Sequence, residues 1–172
     1  MEEQFRELYN LLTVPDDSTI QTASEQLFEL YDNPESIFPL LNLMNQNEEP
    51  GLRTAATIGL KTTLNKCWEQ IHCSEHLQGL KDNMLELLST EQDYTIRNII
   101  LDAMLPIFSS EIEDWPQLLQ FIESISDKTD ESSIELFLSI LTLILRYLSA
   151  DFIASLFENL LNKAKEALST QS

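Results

Sequence analysis

The sequence predicts an all-α fold: an α-α superhelix, or solenoid, of about four helical hairpins followed by a terminal helix. Three observations carry this. Apolar residues recur at three- and four-residue spacing in one segment after another along the chain. Only 3 Gly occur in 172 residues, and the period-2 alternation of half-buried strands is missing. The second helices of successive pairs can also be set in a common register at a degenerate period, the sign of stacked helix–turn–helix repeats.

Taken in order, Phe5, Leu8, Tyr9 and Leu12 mark a first helix, which Pro15-Asp16-Asp17-Ser18 interrupts with a turn and an N-cap. Ile20, Ala23, Leu27, Leu30 and Tyr31 make a second, stopped by Asn33-Pro34, so residues 4–32 form a hairpin. The second hairpin, 34–69, pairs a helix carrying Ile37, Phe38, Leu41 and Met44 with one running from Pro50 to Trp68. A third, 74–109, joins Leu77, Leu80, Met84, Leu87 and Leu88 to Ile96, Ile99, Ile100, Ala103, Met104 and Ile107, with Pro106 expected to kink or end the helix. A fourth, 115–149, opens at Trp115-Pro116 and crosses a polar loop at 127–132 before an apolar helix from Ser133. A last helix is expected at 151–168.

The Pro50–Trp68 stretch organises the rest. Pro50 suits a first helical turn, and Glu48 and Glu49 lie where the helix dipole favours negative charge. Gly59 sits in the middle of the apolar stripe, where glycine costs roughly 0.5–1 kcal/mol relative to alanine, so another backbone is expected to approach closely there. This reads as an inner helix packed on both sides. In register, Ile20, Leu52, Ile96 and Ile134 align, then Ala23, Ala55, Ile99 and Phe137, then Leu27, Gly59, Ala103 and Leu141. The residue after the first of these is Gln21, Arg53 or Arg97 in three helices, placed to bond to the neighbouring repeat.

The formal charge is −19, from 29 acidic and 10 basic residues. Binding to phosphates needs the opposite sign, so direct nucleic-acid binding is disfavoured and basic protein partners fit better. The longest apolar run, Leu136 to Leu145, is broken by Ser139 and Thr142 and falls short of the roughly 20 residues of a membrane helix. No membrane insertion is expected. Met1-Glu2-Glu3-Gln4 has no secretory character, and Cys67 and Cys73 suit a reducing compartment. No phosphate-binding glycine loop, nucleophile elbow or His-Glu-x-x-His motif occurs, so the chain reads as a non-enzyme without a cofactor. Cys67, His72, Cys73 and His76 have zinc-binding residue types, but their gaps do not match paired-ligand spacing and no metal site is expected.

The segment from Ala23-Ser-Glu-Gln-Leu27 through Asn33-Pro34-Glu35 to Arg53-Thr-Ala-Ala56, Leu60-Lys61 and Trp68 resembles the amino-terminal region of the importin-β (karyopherin-β) family, built from HEAT repeats. Glu113-Asp114-Trp115-Pro116-Gln117-Leu118-Leu119 is similar to an element that opens a later repeat in those receptors. The resemblance implies the amino-terminal part of a larger nuclear transport receptor that shuttles between cytoplasm and nucleus and binds the GTP form of the small GTPase Ran. Basic cargo proteins, and nucleoporins through the full-length receptor, would be its other partners. In the family the second helices line a concave surface that forms part of the Ran site.

A helical wheel asked which side chains face away from the paired helix returns Thr22, Glu25 and Glu29, then Thr57, Lys61 and Asn65, then Asn98, Leu101, Asp102 and Leu105, then Leu136, Leu143 and Tyr147. Glu25, Glu29, Lys61, Asn65, Asn98 and Asp102 are the candidate partner contacts. The last three apolar residues are expected to bury against a following repeat. Arg53, Arg97, Trp68 and Trp115 are expected to be structural. A HEAT-type scaffold subunit with no Ran dependence is the alternative, and the effect of the Ran nucleotide state separates the two.

Overall fold

The computed structural model describes residues 1–45, 48–150 and 153–154, so the helix expected at 151–168 lies almost wholly outside the described residues. It is all helical, as expected, with no strand among those residues. The elements are α1 (Glu2–Leu11), α2 (Asp17–Tyr31), a 3₁₀ turn (Pro34–Ser36) leading into α3 (Ile37–Leu43), α4 (Pro50–His72), α5 (Leu77–Thr90), α6 (Tyr94–Ala103), α7 (Leu105–Glu111), α8 (Pro116–Ser126) and α9 (Glu131–Ile144). They fall into two compact units, Met1–Pro106 and the chain from Ile107 on.

In the first unit α1 packs on α2, α3 on α4 and α5 on α6, and α4 also lies against both α2 and α6. That makes α4 the inner helix the sequence predicts. Its buried stripe runs through Ala56, Leu60, Leu64 and Cys67 and continues to Ile71, which is why the helix outlasts Trp68. The helix starts are fixed by short polar side chains. The Asp16 carboxylate accepts from the Thr19 N–H at 2.9 Å, and Asp93 accepts from the Thr95 and Ile96 N–H groups at 2.8 and 3.1 Å. The Thr19 and Ser18 hydroxyls, then the Thr19 N–H, hold the Asp16 carboxyl below its ordinary range. As expected of Pro106, α6 ends at Ala103 and α7 restarts at Leu105, since proline cannot donate the next backbone bond.

Gly59 does meet a close approach, but from tyrosine side chains rather than a backbone. A Cβ there would lie 2.7 Å from both Tyr31 Cε1 and Tyr9 Oη and 3.1 Å from Leu40 Cδ2. The two hydroxyls stand 3.0 Å apart, and Tyr9 donates to the Ala55 carbonyl at 3.2 Å, leaving Tyr31 to donate to Tyr9. Phe5 stacks on both rings. Burial, then the neighbouring Tyr31, pushes the Tyr9 phenol far above its usual range, so both stay protonated hydrogen-bonding groups. Gly59→Ala should therefore destabilise the first unit by about 1–3 kcal/mol in urea titration: overpacking outweighs the 0.5–1 kcal/mol that alanine gains in a helix.

Glu48 serves α1 rather than the dipole of α4. Both its oxygens accept from Arg6 at 2.7 Å, while Arg6 also reaches Glu2 at 3.1 Å. The paired guanidinium holds the Glu48 carboxyl below the usual carboxylate range. With its folded-state pKa depressed, the stabilisation is complete above that range and is lost as pH falls through it. Acid titration of unfolding free energy should accordingly show a shallower decline below about pH 5 in Glu48→Gln than in the parent chain.

In the second unit α8 packs on α9. Trp115, fully buried, stands 6.2 Å from Phe108 and marks the start of α8, with Pro116 in its first turn. Asp130 caps α9 by accepting from the Ser133 N–H at 2.9 Å, so the helix begins two residues before the expected Ser133. The register expected for this helix is corrected. Ile134 is 45% exposed and Phe137 and Leu141 are half-buried, whereas Leu136, Ile140 and Ile144 form the buried stripe. The run Leu136–Leu145 is apolar on nearly every side, so its periodicity cannot select one face. On α4 and α6 the register holds, with Arg53 and Arg97, Ala56 and Ile100, Gly59 and Ala103, and Leu60 and Met104 buried at equivalent positions.

Candidate functional site

The six candidate contacts lie on α2, α4 and α6. Glu25 and Glu29 are exposed one turn apart on α2, and Glu25 accepts from Gln21 Nε2 at 2.9 Å. Asn65 is exposed on α4, and Asn98 is half-buried on α6. The structure brings two of the six into direct contact: Lys61 Nζ lies 3.0 Å from Asp102 Oδ2. These residues join α4 to α6. A second lysine does the same on the other flank, for Lys66 Nζ sits 2.6 Å from Asp32 Oδ1 and 5.5 Å from the Phe28 ring centroid. Five residues apart, the two lysines point to opposite sides of the α4 stripe.

The wheel misplaces Thr57 and Leu101. Both are buried, and Thr57 donates to the Arg53 carbonyl at 2.7 Å, while Leu136 is buried on α9. A wheel with one buried face fails on helices that have neighbours on two sides. Thr22 is exposed, and Leu105, Leu143 and Tyr147 are half-buried.

Arg53 reaches into the neighbouring hairpin. Its guanidinium, buried in α4, forms an ion pair with Glu91 in the turn between α5 and α6. The other Glu91 oxygen accepts from the Asp93 N–H at 2.7 Å, and Asp93 is the N-cap of α6. One carboxylate thus ties the central helix to the start of the next inner helix. Arg97 is also buried, with its guanidinium carbon 5.9 Å from the Tyr94 centroid. Gln21 departs from the pattern: it is exposed and bonds within its own helix. Trp68 is half-buried, 5.5 Å from His72.

The zinc-type residues are dispersed. The buried Cys67 thiol lies 3.7 Å from the Tyr31 carbonyl, and burial pushes its pKa up; His76 instead meets Phe38 edge-on. Among the described residues no helix is long and apolar enough to cross a membrane. Sequence reasoning missed Asp32, Glu91, Phe28 and Ile58. The first two lay in turn segments, where periodicity says nothing. The other two are apolar residues off the buried stripes, and that position was the available signal.

Repeated hairpins set around one inner helix define a HEAT-type helical-repeat protein. Residues 23–105 match the Importin-beta N-terminal domain, a span that runs from within α2 through α6 and includes all six candidate contacts. Residues 23–105 place this part of the chain in the importin-β family. It is 30% identical over 115 residues to human Importin-4, covering 66% of this chain and 10% of that protein. With mouse Importin-4 it shares 25% identity over 113 residues, 65% of this chain and 10% of the relative. The chain thus spans about a tenth of the length of the curated relatives it matches.

Proposed function

We propose that the chain works as the amino-terminal region of a nuclear transport receptor, binding the GTP form of Ran on the α2, α4 and α6 face. The observation that carries this is the importin-β match over residues 23–105, which covers α3 to α6 and the greater part of α2. Such a region acts by binding rather than by catalysis. Its acidic composition suits basic cargo, nucleoporins would engage the full-length receptor, and the receptor would shuttle between cytoplasm and nucleus.

Within this reading Lys61 and Asp102 act as a clasp that sets the spacing of α4 and α6, while Glu25, Glu29, Asn65 and Asn98 meet the partner. Calorimetric titration with Ran loaded with GTP or GDP tests the proposal: GTP-selective binding supports it, and equal behaviour of the two forms leaves only a scaffold. The clasp has its own check. Lys61→Asp and Asp102→Lys should each weaken binding of GTP-loaded Ran, and the charge-swapped double variant should recover most of it; no recovery would assign the two residues to direct contact instead.

A further inference from the structure

Three of the four arginines are engaged within the first unit: Arg6 by Glu48 and Glu2, Arg53 by Glu91, and Arg97 by burial beside Tyr94. Arg146, in the second unit, is exposed, with its guanidinium carbon 5.7 Å from the Tyr147 ring centroid. It stands in the turn after α9, where the chain reads Ile144-Leu145-Arg146-Tyr147-Leu148-Ser149. Leu148 is buried and pins that turn, leaving Arg146 and Ser149 on the surface. No other arginine has a serine or threonine three residues on: the residues so placed after Arg6, Arg53 and Arg97 are Tyr9, Ala56 and Ile100.

Ser149 is bonded twice to one side chain. Its backbone N–H donates to Glu113 Oε1 at 3.0 Å, and its hydroxyl donates to the same carboxylate, which can only accept. The hydroxyl bond, then the backbone bond, holds the Glu113 carboxyl below the usual carboxylate range. Glu113 lies in the turn between α7 and α8, two residues before the buried Trp115. One carboxylate therefore ties the entry of α8 to the exit of α9, at the open end of that hairpin. The Ser149 carbonyl in turn accepts from the Ile153 N–H at 2.9 Å, so the tie bears on the residues that follow. Ser110, Glu113, Asp114, Arg146 and Ser149 border a solvent-open cleft of about 470 Å³, and the hydroxyl can be approached through it.

We infer that Ser149 is a phosphorylation site for an arginine-directed protein kinase, and that the modification opens the tie between Glu113 and the turn after α9. A kinase whose substrate groove is acidic selects its serine by a cation at a fixed spacing from the hydroxyl, and Arg146 is the exposed guanidinium placed to serve. In the transfer, the bond from the γ-phosphorus of ATP to the ADP oxygen breaks, a bond from that phosphorus to Ser149 Oγ forms, and the hydroxyl proton passes to the catalytic base of the kinase. The product has lost the proton that Glu113 accepts. In its place a group of charge about −1.5 to −2 faces an ionised carboxylate, with Asp114 next in the chain, so attraction becomes repulsion. The inference concerns the second unit and is independent of the Ran assignment, which concerns the first.

The test incubates the purified chain with ATP and calmodulin-dependent protein kinase, an enzyme that selects arginine at this spacing, and locates the phosphate by mass spectrometry. Phosphate should appear on Ser149 and be absent from that position in Ser149→Ala. It should be incorporated about tenfold or more slowly in Arg146→Gln, with thermal melting showing both surface variants folded. Carboxyl resonances followed against pH give a second readout. The Glu113 midpoint should move to higher pH in the phosphorylated chain, because a hydrogen bond to the carboxylate is lost and a negative charge is gained beside it. Phosphate on other serines with Ser149 untouched, or an unchanged rate in Arg146→Gln, would overturn the site. A Glu113 titration that phosphorylation leaves in place would overturn the opening of the tie.

Discussion

Arg53→Met should lower the unfolding free energy by about 3–5 kcal/mol in urea titration, the largest loss expected from a single change in the first unit. The cost comes from the carboxylate left behind. Glu91 is buried in the turn before α6, and without the guanidinium it becomes an uncompensated interior charge. Its remaining bond, from the Asp93 N–H, cannot replace an ion-pair partner. Arg53→Met/Glu91→Gln should consequently be more stable than Arg53→Met alone, because glutamine is neutral and can still accept from Asp93. A double variant no better than the single one would show that the arginine acts through packing of its aliphatic stem. Arg53→Lys should recover only part of the loss, since a lysine ammonium offers a shorter, less directional donor set than the guanidinium.

Trp115→Ala should cost the second unit about 3–5 kcal/mol, the range for removing a large buried aromatic. Trp115 is fully buried, packs near Phe108 and stands where the chain turns into α8. Its loss removes apolar burial and also the residue that sets the entry of the helix. Trp115→Phe, which restores part of the volume, should recover much of the stability. Thermal unfolding followed by circular dichroism checks the order parent, Phe, Ala; an alanine variant that melts with the parent would show that this part of the core does not depend on the indole.

Most of the helical architecture could be read from the sequence because α1, α2, α4, α5, α6 and α8 each carry one clear apolar stripe and are bounded by proline or by short polar residues such as Asp16, Asn33 and Asp93. The partner-facing positions were less legible. Thr57 and Leu101 were assigned to the surface because a wheel cannot register a second neighbouring helix, and α9 was misregistered because its apolar residues surround it. Lys61 and Asp102 are legible only as candidate partner contacts, for their pairing depends on how α4 and α6 are set side by side, a distance no sequence spacing contains. Arg53 was predicted to bond to the next repeat, whereas its partner Glu91 sits in a turn with no periodic pattern to expose it. Phe28 escaped notice because it adjoins Leu27, which alone fitted the buried stripe.

The most direct measurement is amide chemical-shift mapping of the chain titrated with Ran in each nucleotide state. GTP-loaded Ran should shift resonances at and around Glu25, Glu29, Asn65 and Asn98 on α2, α4 and α6, while GDP-loaded Ran at the same concentration leaves them in place. Shifts confined to α3 and α5, or the same response to both forms, would contradict the assignment of this face to a nucleotide-sensitive partner.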